Sequence, residues 1–272
     1  MSQDPIGLLD SGVGGLSVLR ELLRQHPQEN YLYFADQAHV PYGSRTLEQV
    51  QGYSESIVRF LHSQGAKLIV VACNTASAAA LHPLRRTFPG RRFVGMEPAV
   101  KPAAQSSRSR SVGVLATPAT FQGKLFASVV ERFAQGVELI EVVLPGLVEQ
   151  IEAGQLQSPA TRRILQQGLA PLRSRGVDTL VLACTHYPFV IPQIRQLAGD
   201  GVEVIDPAPA IARQTGRLLA EVGPADPNGP AGQVTLYSTG DSQALAKMAW
   251  ELIQLRAESL SMSWRGLELL AG

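Results

Sequence analysis

Only two cysteines, Cys73 and Cys184, occur among 272 residues. So few exclude a disulfide framework and supply too few thiolates for a thiolate-rich zinc site. Neither sign of charge prevails: 24 lysines and arginines against 23 aspartates and glutamates leave a net +1. No field of that size draws in nucleic acid or an acidic membrane surface. No apolar run approaches the ~20 residues of a membrane span. Met1 leads through polar residues into a short strand, without the basic and then apolar order of a signal peptide. These absences predict a cytoplasmic protein with no nucleic-acid and no membrane partner. What is present, 45% apolar and 17% charged residues, describes a globular chain with ample core, in one large domain or two modest ones.

Strand and helix patterns alternate along the chain. Pro5–Asp10, Tyr31–Asp36, Leu68–Ala72 and Arg92–Met96 read as strands, with helices over Leu16–Gln25, Thr46–Ser63 and the Ala-rich segment after Cys73. The pattern then restarts. Ser111–Thr117, Val137–Val143, Thr179–Ala183 and Val202–Asp206 read as strands, separated by helices that include Leu147–Ala153 and Pro159–Arg175. Pro207 opens a further helix, Gly223–Gly232 is a Pro/Gly-rich loop, Gln233–Thr239 is a last strand, and Asp241 caps a helix running to about Glu258. The tail to Gly272 carries no assignment. Arg108 and Arg110 sit in a Ser-rich stretch, Gln105–Ser111, that reads as a solvated connection. The fold class is α/β, with parallel sheets flanked by helices.

The restart is an internal duplication. Gly7-Leu8-Leu9-Asp10-Ser11 corresponds to Gly113-Val114-Leu115-Ala116-Thr117, and Leu68–Thr75 to Thr179–His186. The two cysteines therefore fall at the same position of two related halves. Each ends a buried strand, where open α/β sheets bind their ligands. A helix beginning there lowers a thiol below its free value of about 8.5. Two pseudo-symmetric lobes, each a mostly parallel sheet, bring both thiols to one cleft from opposite sides. Inversion of a stereocentre with an acidic C–H needs such a pair: a base on one face, an acid on the other, each worth about 10²–10⁴-fold.

Plainer readings stand beside these. A strand-end cysteine is often only a small buried hydrophobe. Asp10 either caps the next helix or orients a thiol. Gly12-Val13-Gly14-Gly15 departs from the dinucleotide fingerprint because Ser17 stands at its last glycine; tight turns and close packing explain these glycines. Asp36 heads a loop and suits no ribose. His186, two residues past Cys184, is a proton partner for it, whereas His26, His39, His62 and His82 have no such context. Asn74, Thr75, Thr117, Thr120 and Thr185 either cap helices or grip a carboxylate. Tyr42 is explained by turn chemistry, and Glu149 and Glu152 by a solvated helix face.

Four motifs carry a resemblance: Asp-Ser-Gly-Val-Gly-Gly-Leu-Ser at 10–17, Pro-Tyr-Gly at 41–43, Cys-Asn-Thr-Ala-Ser-Ala at 73–78 and Cys-Thr-His-Tyr-Pro at 184–188. In order and spacing, from residue 6 to about 210, the chain resembles the glutamate racemases of the aspartate/glutamate racemase family. Ser238-Thr239-Gly240-Asp241 is similar to the family's closing strand and turn, with Ser-Thr where Thr-Ser is more usual; Ala183 replaces a more frequent glycine. The resemblance implies a cofactor-independent, metal-free homodimer that interconverts L- and D-glutamate for peptidoglycan synthesis. Cys73 would take the proton from D-glutamate and Cys184 from L-glutamate, assisted by Asp10 and His186, with Glu152 near the second thiol. Ser11, Tyr42, Gly43, Asn74, Thr75, Thr117 and Thr185, together with Asp10 and His186, would bind the amino acid. It also implies lobes of residues 1–97 with 207–272 and of residues 98–206. The alternatives are an aspartate racemase, a Cys-His thiol hydrolase or transferase built on Cys184 and His186, and an exported solute-binding protein, which the missing signal segment disfavours.

Overall fold

The apolar, β-branched runs segregate into two sheets in the computed structural model, which describes residues 2–271. The chain starts with strand β1 (Ile6–Asp10), helix α1 (Leu16–Gln25), β2 (Tyr31–Ala35), α2 (Leu47–Ser63), β3 (Leu68–Val71), α3 (Asn74–Thr87), β4 (Arg92–Gly95) and α4 (Val100–Ser106). It continues through β5 (Ser111–Ala116), α5 (Pro118–Gln122), α6 (Lys124–Phe133), β6 (Glu138–Val142), α7 (Leu147–Glu152), α8 (Pro159–Ser174), β7 (Thr179–Ala183), α9 (Ile191–Ala198) and β8 (Glu203–Ile205). Last come α10 (Ala208–Val222), β9 (Val234–Ser238), α11 (Ser242–Ile253), β10 (Glu258–Arg265) and β11 (Glu268–Ala271).

The seven-stranded sheet has the order β11-β10-β9-β2-β1-β3-β4 and the four-stranded sheet the order β6-β5-β7-β8. Within the first, β2-β1-β3-β4 repeats the order of the second, strand for strand, so the duplication read from the motifs is a duplication of topology. All pairs are parallel except β10 with β11. Every residue of β1, β3, β5 and β7 is buried. These are central strands covered on both faces, and each Leu, Ile or Val buried there stabilises the fold by about 1.5–3 kcal/mol. One apolar cluster runs unbroken from Leu8, Leu16 and Leu19 in the first half to Ile151, Leu182 and Tyr187 in the second.

Local signals place the helices. Thr46 and Gln49 form a reciprocal capping box on α2, Oγ1 accepting from the Gln49 N–H at 3.2 Å and the Thr46 N–H donating to Oε1 at 3.1 Å. Asp241 caps α11 as its sequence suggests, accepting from the Gln243 and Ala244 N–H groups. That helix, however, stops at Ile253 rather than near Glu258, with Gln254 in the left-handed region at φ 57°. The tail then forms a hairpin that extends the first sheet. Alternation through Met262, Ser263, Trp264 and Arg265, with Gly266 at φ 63°, is the signal for it. The Gln105–Ser111 stretch is only partly solvated: the Asp178 carboxylate accepts from the Ser107 hydroxyl and the Arg108 and Ser109 N–H groups.

The chain crosses between the sheets near Glu97-Pro98 and Asp206-Pro207. A crevice of about 540 Å³ lies beside both crossings, lined partly by these four residues, and it contains neither cysteine. No helix among the described residues is long and apolar enough to cross a membrane.

Candidate active site

Four strand ends meet at one small cavity. Ser11 follows β1, Cys73 follows β3, Thr117 follows β5 and Cys184 follows β7, and all four line it. Tyr42, Gly43, Asn74, Thr75, Thr185 and His186 complete the set expected from sequence, and Pro41 and Val148 are additions. Asp10 and Glu152 stand one layer behind. The cavity measures ≈ 20 Å³, room for about one water and no amino acid.

The two thiols occupy equivalent positions in different surroundings. Cys73 caps α3, its Sγ accepting from the Ala76 N–H at 3.4 Å. The expected drop in its pKa does not occur. Burial pushes this thiol up, the Asp10 carboxylate pushes it further, and the Ala76 and Thr75 N–H groups recover only part. Cys184 caps no α-helix; a turn and a short 3₁₀ segment, Tyr187–Val190, intervene before α9. Its Sγ lies 3.8 Å from His186 Nδ1.

His186 in turn is held by Glu152, whose Oε1 lies 2.5 Å from Nε2. The same oxygen accepts from the Val13 N–H at 2.8 Å. Burial opposes charge on the imidazole, but Cys184 and Glu152 on its two nitrogens outweigh it and hold the His186 pKa well above the usual value. Glu152 thus corrects the solvated-face reading: its neighbour Glu149 is exposed, while Glu152 turns inward. The glycines of the β1–α1 turn make this possible. A Cβ at Gly12 would overlap the Glu152 carboxylate and one at Gly14 the His186 imidazole.

Asp10 is fully buried, which raises its pKa against the lowering effects of His186 and the Gly15 and Gly12 N–H groups. Its oxygens accept from the Gly12 N–H at 3.0 Å and from the Thr185 hydroxyl at 3.3 Å. It acts on Cys73 through charge, not through a hydrogen bond. A second set of contacts closes the opposite wall: Thr75 Oγ1 lies 2.9 Å from Thr117 Oγ1, which is 3.0 Å from Thr120 Oγ1. Thr117 also caps α5, its side chain accepting from the Thr120 N–H. Asn74 is the exception. Both polar atoms of its buried amide lack any partner among the described residues, a costly arrangement in a finished core.

Sequence reasoning passed over Asp36, whose buried carboxylate accepts the Tyr42 phenol at 2.7 Å, and His39, whose Nδ1 lies 2.9 Å from it. The aromatic and carboxylate types were visible in the sequence; their convergence was not.

Known proteins resemble this chain in sequence and in fold. Residues 6–215 fit the model of the Asp/Glu/hydantoin racemase family. A glutamate racemase of Roseiflexus sp. is 51% identical over 92% of this chain and 93% of its own. Among solved structures, a glutamate racemase of Bacillus anthracis superposes with a TM-score of 0.88 at 28% identity, covering 98% of this chain and 100% of that one. A Francisella tularensis glutamate racemase in complex with D-glutamate superposes at 0.81 with 27% identity, covering 94% and 96%. With a family match over most of its length and a relative identical at half the aligned positions, this chain belongs to the Asp/Glu/hydantoin racemase family.

Proposed function

We propose that this protein interconverts L- and D-glutamate by a two-base mechanism with Cys73 and Cys184 on opposite faces of the substrate Cα. One observation carries the reading: two cysteines from equivalent strand ends of duplicated halves line a single cavity. The glutamate racemases among its relatives support the choice of substrate.

Cys73, as thiolate, takes the Cα proton of D-glutamate, and the Cys184 thiol protonates the opposite face of the resulting carbanion. For L-glutamate the roles exchange. Asp10 assists the first thiol, and His186, oriented by Glu152, the second. Ser11, Tyr42, Gly43, Asn74, Thr75, Thr117 and Thr185 grip the amino acid, with the unpartnered Asn74 amide as its readiest hydrogen-bond group. The substrate ammonium supplies the positive charge that Cys73 lacks beside Asp10, and so favours the thiolate.

A cavity of ≈ 20 Å³ requires the lobes to part before glutamate enters. We assign residues 1–97 with 207–272 to one lobe and residues 98–206 to the other, hinged at the two X-Pro crossings. The adjoining crevice leaves those crossings room to move. The reading extends to a cytoplasmic homodimer that supplies D-glutamate for peptidoglycan, on the strength of the family resemblance.

The test is direct. Purified protein without added pyridoxal phosphate is expected to erase the optical rotation of either glutamate enantiomer and to wash solvent deuterium into Cα. L-glutamate that keeps its rotation and its Cα hydrogen overturns the reading, and faster turnover of aspartate in a parallel assay reassigns the substrate.

A further inference from the structure

Two features left without a role in the sequence, Asp36 and the C-terminal tail, meet beside the active site. Asp36 follows β2 and is fully buried, and three donors and an imidazole converge on its carboxylate. Tyr42 Oη donates to Oδ2 at 2.7 Å, Trp264 Nε1 to Oδ1 at 2.7 Å and Thr239 Oγ1 to Oδ1 at 2.8 Å, while His39 Nδ1 lies 2.9 Å from Oδ2. The Asp36 N–H donates to the Asp10 carbonyl at 3.0 Å. The rings pack as well. His39 stacks on Tyr53 with centroids 3.8 Å apart, and the Trp264 ring centroid lies 5.7 Å from that of Tyr53 and 5.3 Å from that of His39.

The phenol hydroxyl of Tyr42, a residue that lines the cavity, is therefore bonded to Asp36. It is the tether that sets where Pro41 and Gly43 stand, and Gly43 abuts Thr117 of the opposite lobe: a Cβ there would lie 2.7 Å from the Thr117 Cβ. The carboxylate that fixes the tether is itself oriented by Trp264 on β10. We propose that Asp36 and Trp264 are positioning residues for the Pro41–Ser44 wall of the site, so that the C-terminal hairpin contributes to substrate binding without touching substrate. This rests on the racemase reading above.

The expected signature is a split between binding and chemistry, because neither residue reaches a thiol. Trp264→Phe keeps an aromatic ring, though a smaller one, and removes one hydrogen bond to Asp36. It is expected to raise KM for both glutamate enantiomers about tenfold, with kcat within about twofold of wild type. In an Asp36→Asn background the same substitution is expected to add almost nothing, because the two act as one unit. A second measurement needs no variant. The Trp264 indole N–H resonance of wild type, with the half-exposed Trp250 as internal reference, is expected to shift when D-glutamate is added. A Trp264→Phe enzyme with wild-type KM, or an indole resonance indifferent to D-glutamate at saturation, overturns the positioning role. A wild type whose indole responds to D-glutamate but which never inverts it overturns the racemase reading instead.

Discussion

Cys73 and Cys184 hold the same place in two copies of one topology, yet their surroundings share almost nothing. Behind Cys73 stand a helix N-terminus and a buried carboxylate, whose effects on a thiolate oppose each other, and burial decides against the charge. Behind Cys184 stands an imidazole with a carboxylate on its far nitrogen, an arrangement able to take or return a proton. Duplication has conserved where the thiols are, not how they are poised. A reaction between enantiomers of equal free energy demands matched positions, but it leaves each half free to reach its barrier by different means.

The largest effect that would break this comparison is the loss of either thiol. Cys73→Ser and Cys184→Ser are each expected to lower racemisation by about 10²–10⁴-fold, read by loss of optical rotation. An active Cys73→Ser enzyme would reduce the pair to a single reactive thiol. Next come the partners. His186→Asn and Asp10→Asn are each expected to lower kcat by about 10²-fold. Because the enantiomers are isoenergetic, kcat/KM falls equally in both directions, so the asymmetry must be read from substrate-deuterium isotope effects. His186→Asn is expected to enlarge the effect on L-glutamate and Asp10→Asn that on D-glutamate; identical responses would show that the partners are not divided between the thiols.

The smallest effect is on stability. A raised folded pKa on His186 means that its contribution is fully present below about pH 6.5, the unfolded value, and is lost as pH rises towards the folded one. Wild type is therefore expected to lose urea-unfolding free energy as pH rises above about 6.5, and His186→Asn to lose less. This window lies above the range of His62, whose lowered pKa acts in the opposite sense below about 6.5. Equal slopes in the two proteins would remove His186 from the account.

Much of this was legible from residues alone because it depends on local pattern. Buried parallel strands announce themselves as apolar runs such as Leu68–Val71, caps as Thr46 with Gln49, and the duplication as repeated motifs. The rest depends on what faces what. Glu149 and Glu152 share one helix, and only packing against Gly12 and Val13 decides that the second turns inward. The Cys73 thiol was expected to fall because its helix is visible in the sequence; the burial that raises it is not. The tail hairpin is a different case: its alternation and turn glycine are present in the sequence, yet the tail carries no assignment from it.

The strand order of the first sheet also bears on how the chain is made. Strand β2 has β1 on one side and β9 on the other, and β9 begins only at Val234, long after the whole four-stranded sheet has been synthesised. On the ribosome, the later half can close its sheet while the earlier half still waits for its last strands. Until they arrive, Tyr31–Ala35 is an apolar strand with an unpaired edge, a template for pairing with another chain. Nascent chains of this protein therefore carry that exposed edge until β9 has emerged.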